Sequence, residues 1–388
     1  MAERMNHRER FLETLLFGTP DRTPFEPGGP RESTLHAWQQ QGLEGSWSEV
    51  LYQLLDAKRG ERGLAPAPWK PNQPITDLGV SFQMNPKFEE KVLEHKEGHY
   101  IVHDWMGAIT EISDTYDYSY IRSPKDFVTR KWHRFPVQNL ADWEERIRWR
   151  FNPKDPQRFP PDFDDRCARL RARDYPLIVS FNGPFWQLRE FCGMENLCTM
   201  MLEQPDLIET MSVFWRDFGS EVLQVILDRV APDMLHLSED MCYKEHPMIS
   251  PEMTERFCGP CYRQWIDQAR SAGTELFGID SDGHIGLLIP VWMEWGVNCV
   301  DPIEAAAGND INEFRSMFGK KLSFRGGIDK RAIAAGGEAL RRELARIRPV
   351  LTGGGYIPSC DHGVPPDISW QHFQEYSITL AEMTGWLA

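Results

Sequence analysis

From Tyr175 onward the chain repeats one pattern of apolar and polar positions. A short β-branched or aromatic run comes first, then polar or Gly-rich residues, then a longer stretch of helical periodicity. The short runs are PLIVSFN (176–182), DMLHLS (233–238), TELFGID (274–280), VNCVD (297–301), LSFRGG (322–327) and GYIPS (355–359). Between them lie predicted helices. One is opened by Pro205 and extends to Val230. Another starts at Ser250-Pro251-Glu252, which places an N-cap hydroxyl, a first-turn proline and an acid at the positive end of the helix dipole. Met253, Phe257, Cys261, Trp265 and Ala269 then recur every four residues, which draws one apolar face.

Strands alternating with helices of this length imply a parallel sheet with right-handed crossovers, either closed into a barrel or doubly wound. No Gly-rich phosphate loop follows any run, although a doubly wound nucleotide binder would be expected to carry one. Nearly every run instead ends in a polar or ionisable group: Asn182, Glu239 with Asp240, Asp280 with Asp282, Asp301, Arg325, and Asp361 with His362. In a (β/α)8 TIM barrel these ends converge on one face, where active sites are built. The expected fold is therefore α/β, a (β/α)8 barrel.

Residues 1–150 are less regular. An opening helix with Met5, Leu12, Leu15 and Leu16 on one face leads to RTPFEPGG, a first strand. Helical stretches follow at 33–41 and 47–58, then a proline-rich segment at 65–74, strand-like runs near 91–103 and a helical return at 136–151. No Ser/Gly-rich linker interrupts them. The expectation is a single barrel domain over 1–388, with 28–150 as an N-terminal elaboration covering one mouth.

Composition narrows the partners. The 388 residues are 41% hydrophobic and 26% charged, as in an ordinary globular protein. Against 43 Lys and Arg stand 58 Asp and Glu, and the net charge of −15 repels phosphate backbones and anionic lipid, so no nucleic acid or membrane partner is expected. No apolar run reaches the roughly 18 residues of a membrane span, and the charged opening residues do not form a secretory signal. Eight Cys are spread without the density of a disulfide scaffold, which points to a reduced, cytoplasmic protein.

The segments SEDMCYKEHPMISPEM, FGIDSDGHIGLLIPVWMEWGVNCVDPIE, LSFRGGIDKRAIAAGG and YIPSCDHGVPPDISWQHF resemble the uroporphyrinogen decarboxylase superfamily, specifically its branch of corrinoid-dependent methyltransferases. RERFLETLLFGTPDRTPFE and FPVQNLADWEERI are similar to that branch too. The resemblance implies the same barrel. True uroporphyrinogen decarboxylases carry an Arg-rich segment after the first strand for the substrate's propionates. Here RTPFEPGGPREST offers only Arg22 and Arg31, outside that pattern, so authentic uroporphyrinogen decarboxylation is disfavoured.

The thiol-methylating relatives hold zinc with a His-x-Cys pair and a later Cys. At those places this chain has Asp280-Ser281-Asp282 and His362, with Cys360 two residues earlier. The resemblance thus implies a harder ligand set for zinc (Asp280, Asp282, His362, Cys360), or a metal-free site in which one carboxyl is the general acid. It further implies a methyltransferase that moves a methyl group from a small methoxylated or methylated donor to a corrinoid protein carrying cobalamin. Decarboxylation of a tetrapyrrole or smaller acid, and corrinoid binding without catalysis, are the alternatives. A homodimer is compatible with the sequence.

Within that scheme Asp240, Asp282, His284 and Arg325 are the expected catalytic residues, and Asn182, Phe185, Trp186 and Glu239 the expected substrate contacts. Each also has a plainer role. Asp-x-Asp-Gly is a common turn, His284 opens a helix, and Arg325 has Asp301 or Glu304 as ion-pair partners. Cys258-Gly-Pro-Cys261 falls two turns into a predicted helix with Cys261 on its apolar face, which makes it a kinked helix rather than a redox pair.

Overall fold

The structure, a computed structural model, describes residues 5–69, 78–115, 117–122 and 129–388. The chain opens with the helix His7–Leu15, held at its start by a capping box: Asn6 Oδ1 accepts from Glu9 N (2.8 Å) while Glu9 Oε2 accepts from Asn6 N (2.9 Å). Phe11 and Leu15, four residues apart, form its buried face. The sequence pattern assigned Leu16 to that face, but Leu16 caps the helix C-terminus and is exposed.

Residues 23–30 run beside the C-terminal strand region. Val364 N donates to Gly29 O (2.9 Å), Arg31 N donates to Val364 O (3.2 Å), and Pro30 bridges Val364 in parallel. A continuous ladder does not form because Pro24, Pro27 and Pro30 have no N–H to give it. The helices Glu32–Gln40 and Trp47–Glu61 follow, as the periodicity predicts. Of the proline-rich stretch at 65–74, residues 70–74 lie outside the described residues.

A four-stranded antiparallel sheet comes next: β1 (Lys91–Lys96), β2 (His99–His103), β3 (Ile109–Ser113) and β4 (Arg130–Arg134), in that order. Asp104 fixes the β2–β3 turn. It is fully buried, Oδ1 accepts from Met106 N (3.0 Å) and Ala108 N (2.9 Å), and Oδ2 accepts from Thr110 Oγ1 (2.9 Å). The helical return near 136–151 is broken into short α, π and 3-10 turns.

The second sheet is parallel: β5 (Ile178–Asn182), β6 (Met234–Ser238), β7 (Leu276–Asp280), β8 (Cys299–Asp301), β9 (Ser323–Ile328) and β10 (Tyr356–Cys360), each beside its sequence neighbour. Long helices such as Pro205–Leu227 and Pro251–Ser271 make the crossovers. Residues 78–84 lie against β5, where the Phe82 ring stacks on Phe181 at 4.2 Å. Their backbone is tied to Arg158, which donates to Ser81 O (3.0 Å) and Gln83 O (2.7 Å). With this segment and residues 23–30 as the two remaining staves, the architecture is a (β/α)8 TIM barrel.

Strand alternation stacks the inward residues in layers. The register aligns Ile178, Met234 and Leu276, and these join Cys299, Ile357, Phe11 and Leu15 in a closed apolar plug at the base. Two residues higher come Ser180, His236 and Gly278, and two higher again Asn182, Ser238, Asp280 and Asp301. The barrel interior therefore turns from apolar to ionisable within about 7 Å of strand.

Candidate active site

On top of the plug an ionic chain crosses the barrel. His236 Nε2 meets Asp301 Oδ1 at 2.8 Å, Arg325 Nη1 donates to Asp301 Oδ2 at 3.1 Å, and Arg325 Nη2 donates to Glu26 Oε2 at 3.1 Å. Gly278 makes room for the imidazole, because a Cβ there would lie 2.7 Å from His236 Cδ2. Burial alone would push the His236 pKa down, but the Asp301 carboxylate outweighs it and holds the imidazole above its usual range. Burial would likewise raise Asp301, yet His236 and Arg325 keep it below the ordinary carboxylate value.

Asp280 faces Asp301 across β7 and β8 without sharing those partners. Burial, and then the Asp301 charge, raise its pKa to about 7, with His236 pulling the other way. Two neighbouring carboxyls cannot both ionise cheaply. Asp301 holds the cations, so of the two carboxyls Asp280 is the one that binds a proton, up to about pH 7.

A second cluster sits at the rim. Asp282 Oδ2 lies 3.4 Å from His362 Nε2, and Asp282 N donates to Asp240 Oδ1 (3.1 Å). Gly283 N donates to Glu304 Oε2 (3.1 Å), whose other oxygen accepts from Lys330 Nζ (3.3 Å). Burial, then Asp240 and Glu304, raise Asp282 to about 7. Burial, then Lys330 and Arg31, lower His362. Asp361 is fully buried below them and accepts from Ala305 N (3.0 Å) and Lys330 N (3.3 Å). Gly283 has a φ of +80°, and a Cβ there would meet the Cys242 and Tyr243 carbonyl oxygens at 2.5 Å, so the turn that presents Asp282 requires glycine.

The expected zinc ligands do not assemble. Asp280 belongs to the axial group, Asp282 and His362 meet at the rim, and Cys360 is in the apolar core with a thiol pKa pushed up to about 12 by burial. Among the described residues no three His, Cys, Asp or Glu side chains are grouped to hold a metal ion. Strand alternation is the reason. Cys360 lies between Ser359 and Asp361, and it faces the helices when Asp361 turns inward. The donor set does not fit the metal, and no step is derived through one.

Beside the axis opens a cavity of about 490 Å³, lined by Phe82, Met84, Trp105, Met106, Ser180, Phe181, Asn182, Trp186, Glu190 and Trp215 among others. The β2–β3 turn delivers Trp105 and Met106 to it. Asn182 and Trp186 reach it as expected, but two other expected contacts do not. Phe185 is fully buried in the core, on the opposite face of the helix Pro184–Cys192. Glu239 is also fully buried: its carboxylate accepts from Trp186 N and Tyr262 OH, both at 2.9 Å, which caps that helix from beneath.

His284 lies with its ring against Gly286 and Gly308. Arg325, expected as a catalytic residue, is held by Asp301, one of its two expected ion-pair partners, and by Glu26. Cys258 and Cys261 are buried free thiols inside the helix Pro251–Ser271.

Sequence reasoning overlooked His236, Glu26 and Glu190. His236 had a signal: it alternates with Met234 in DMLHLS and so faces inward. Glu190 lies three residues after Gln187 on one helical face. Glu26 had none, since its role rests on a contact with a residue 299 positions away.

The family described as Uroporphyrinogen decarboxylase (URO-D) matches residues 144–381, which include β5 to β10. The chain belongs to the uroporphyrinogen decarboxylase family. The uroporphyrinogen decarboxylase of Granulibacter bethesdensis is 36% identical over 82 residues, 21% of this chain and 23% of that protein. That of Pseudomonas fluorescens is 30% identical over 77 residues, 20% and 22%. The chain thus spans about a quarter of the length of the curated relatives it matches. A solved methyltransferase from Methanosarcina mazei shares the fold with a TM-score of 0.54 at 12% identity, covering 98% of this chain and 99% of that one.

Proposed function

We propose that this family member is an enzyme that moves a methyl group from a small methylated compound to a corrinoid protein docked at the barrel mouth. The observation that carries the reading is Asp280, a buried axial carboxyl that faces Asp301, has its pKa raised to about 7 and shares a layer with Asn182 of an aromatic-rich cavity. Asn182 of the cavity and Asp280 share one layer two strands apart, about 10 Å. A donor seated in the cavity can place its methyl-bearing atom at the axis.

In the reaction the carbon–heteroatom bond breaks with its electron pair left on the heteroatom, and Asp280 supplies the proton that atom needs. The charged His236 beside it then stabilises the Asp280 carboxylate, which recovers a proton from water. The corrinoid would supply the nucleophile that accepts the methyl group. Fixed charges on Asp301, Arg325 and Glu26 hold His236 through the cycle.

Cavity and charge argue against a tetrapyrrole. An engineered cavity of about 150 Å³ holds one benzene, so a cavity near 490 Å³ suits a compound of one or two small rings. No Lys or Arg is among the described lining residues, and Arg325 already serves two carboxylates. A substrate with many carboxylates would lack counter-charge.

The test is a panel of methyl ethers and methylamines incubated with the protein and a reduced corrinoid protein, followed by the absorbance of the methylated corrinoid. Methyl transfer that falls by about 10²–10³ in Asp280→Asn supports the reading. Release of carbon dioxide from a carboxylated compound, with no methyl transfer across the panel, overturns it in favour of a decarboxylase.

A further inference from the structure

The cavity beside the axis has a charge pattern that methyl transfer by itself does not call for. Glu190 is the one ionisable residue among the described lining residues. Its Oε1 accepts from Trp186 Nε1 at 2.9 Å, and its Oε2 accepts only long contacts from Gln187 Nε2 (3.3 Å) and Asn182 Nδ2 (3.4 Å). A carboxylate can take about four hydrogen bonds, so this one retains accepting capacity. The same cavity is lined by the rings of Trp105 and Trp186 and by the stacked pair Phe82 and Phe181, whose π systems are electron-rich.

Other charges bear on the same space. In the field at Glu190 the Arg189 cation acts more strongly than Asp104, which lies under the β2–β3 turn and opposes it. Lys87 lies 4.5 Å from the Trp105 ring and Arg189 lies 4.2 Å from the Trp186 ring, and neither lines the cavity. Arg189 is shared, since it also donates to Asp240 O at 3.0 Å and lies 3.9 Å from the Asp240 carboxylate. Direct contact with Glu190 inside a poorly solvated cavity outweighs repulsion felt through an indole ring. Burial raises the Glu190 pKa against the pull of the Trp186 hydrogen bond and of Arg189, so beside a neutral guest the carboxyl is biased toward its protonated form, whereas a cation favours the carboxylate and can lie against the rings.

We propose that this cavity is a binding subsite for a small alkylated ammonium group, walled by indole and phenyl faces with Glu190 as its counter-charge. The site does not depend on which reaction the axis performs. It recognises a charge and a shape, and the reacting atom lies two strands away.

Isothermal titration calorimetry on the full chain tests this with choline against its neutral carbon isostere, in which a tert-butyl group replaces trimethylammonium. The expected result is choline binding at least about tenfold more tightly. Glu190→Gln should erase that preference while the isostere's affinity stays the same. Trp105→Leu should weaken choline more than the isostere, and this decides the matter if Glu190→Gln does not fold. Equal affinities for the two probes in the unmodified protein, or a preference that survives both substitutions, overturns the proposal. Methyl transfer is not measured in any arm, so a failure here is distinct from a failure of the proposed reaction.

Discussion

The proton on Asp280 is decided by the company each carboxyl keeps. Asp280 and Asp301 pair across adjacent strands, and Asp301 has His236 and Arg325 for partners. If Asp280 is the acid, the rate of the chemical step should be highest below its pKa of about 7 and decline as the pH rises through it. A pH–rate profile of kcat checks this. Asp280→Asn should flatten the alkaline limb, and Asp301→Asn should displace it, because the neighbour's charge helps to hold the proton in place.

Glu239 shows the same burial effect in a structural role. Burial raises its pKa to about 7, well above the unfolded value. The folded state therefore binds more protons between the two values, and the associated stability is present at low pH and lost as the pH rises toward 7. The loss is on the order of 3 kcal/mol. Glu239→Gln should remove that slope, which urea unfolding at pH 5 and pH 8 would detect. Glu239→Ala should cost roughly 2–4 kcal/mol at pH 5, because Trp186 N and Tyr262 OH would lose their acceptor, and less at pH 8, where the native chain has already lost the Glu239 contribution.

At the scale of elements, two devices keep the site separate from the support below it. The helix His7–Leu15 closes the base of the barrel with Phe11 and Leu15. Phe11→Ala should lower stability by roughly 3–5 kcal/mol, while the activity per folded molecule changes little. Denaturant midpoints and active-site titration together check that split. The turn after β7 does the reverse. A side chain at Gly283 would strike two backbone carbonyls in a conformation disfavoured for anything but glycine. Gly283→Ala should displace Asp282 and depress activity strongly, even at temperatures where circular dichroism reports a folded chain.

At the scale of the molecule, the buried groups whose shifts bear on the range from pH 5 to pH 8 mostly act in one direction. Asp280, Asp282, Asp361 and Glu239 are raised chiefly by burial, and His236 is raised by Asp301 against its burial. Each of these contributes stability at mildly acidic pH that is lost as the pH climbs. His362 is lowered and opposes them, favouring the fold at higher pH. The sum predicts greatest stability on the acid side of neutrality, and urea midpoints measured from pH 5 to pH 8 should fall across that range.

Much of the barrel could be read along the chain. Runs such as DMLHLS and TELFGID state their own periodicity, and a parallel sheet with helical crossovers follows from their alternation. The polar strand ends could be read too, because position in a strand is a local property. Where the pattern misled, the cause was the direction a side chain takes from its element or a contact between distant segments. Phe185 and Asn182 are three residues apart, yet the turn of a helix sends one into the core and leaves the other at the cavity. Asp280, Asp282, His362 and Cys360 are all of ligand type, but strand alternation and a glycine turn distribute them among the axis, the rim and the core. Glu26 joins the site only because the barrel closes.

The order of apolar and ionisable residues was thus enough to specify the architecture and the end of it where ionisable side chains converge. Which carboxyl holds a proton, which arginine is already engaged and which aromatic faces a cavity were decided by tertiary structure. Periodicity depends on neighbours in sequence, whereas a pKa, an ion pair and a cavity depend on neighbours in space.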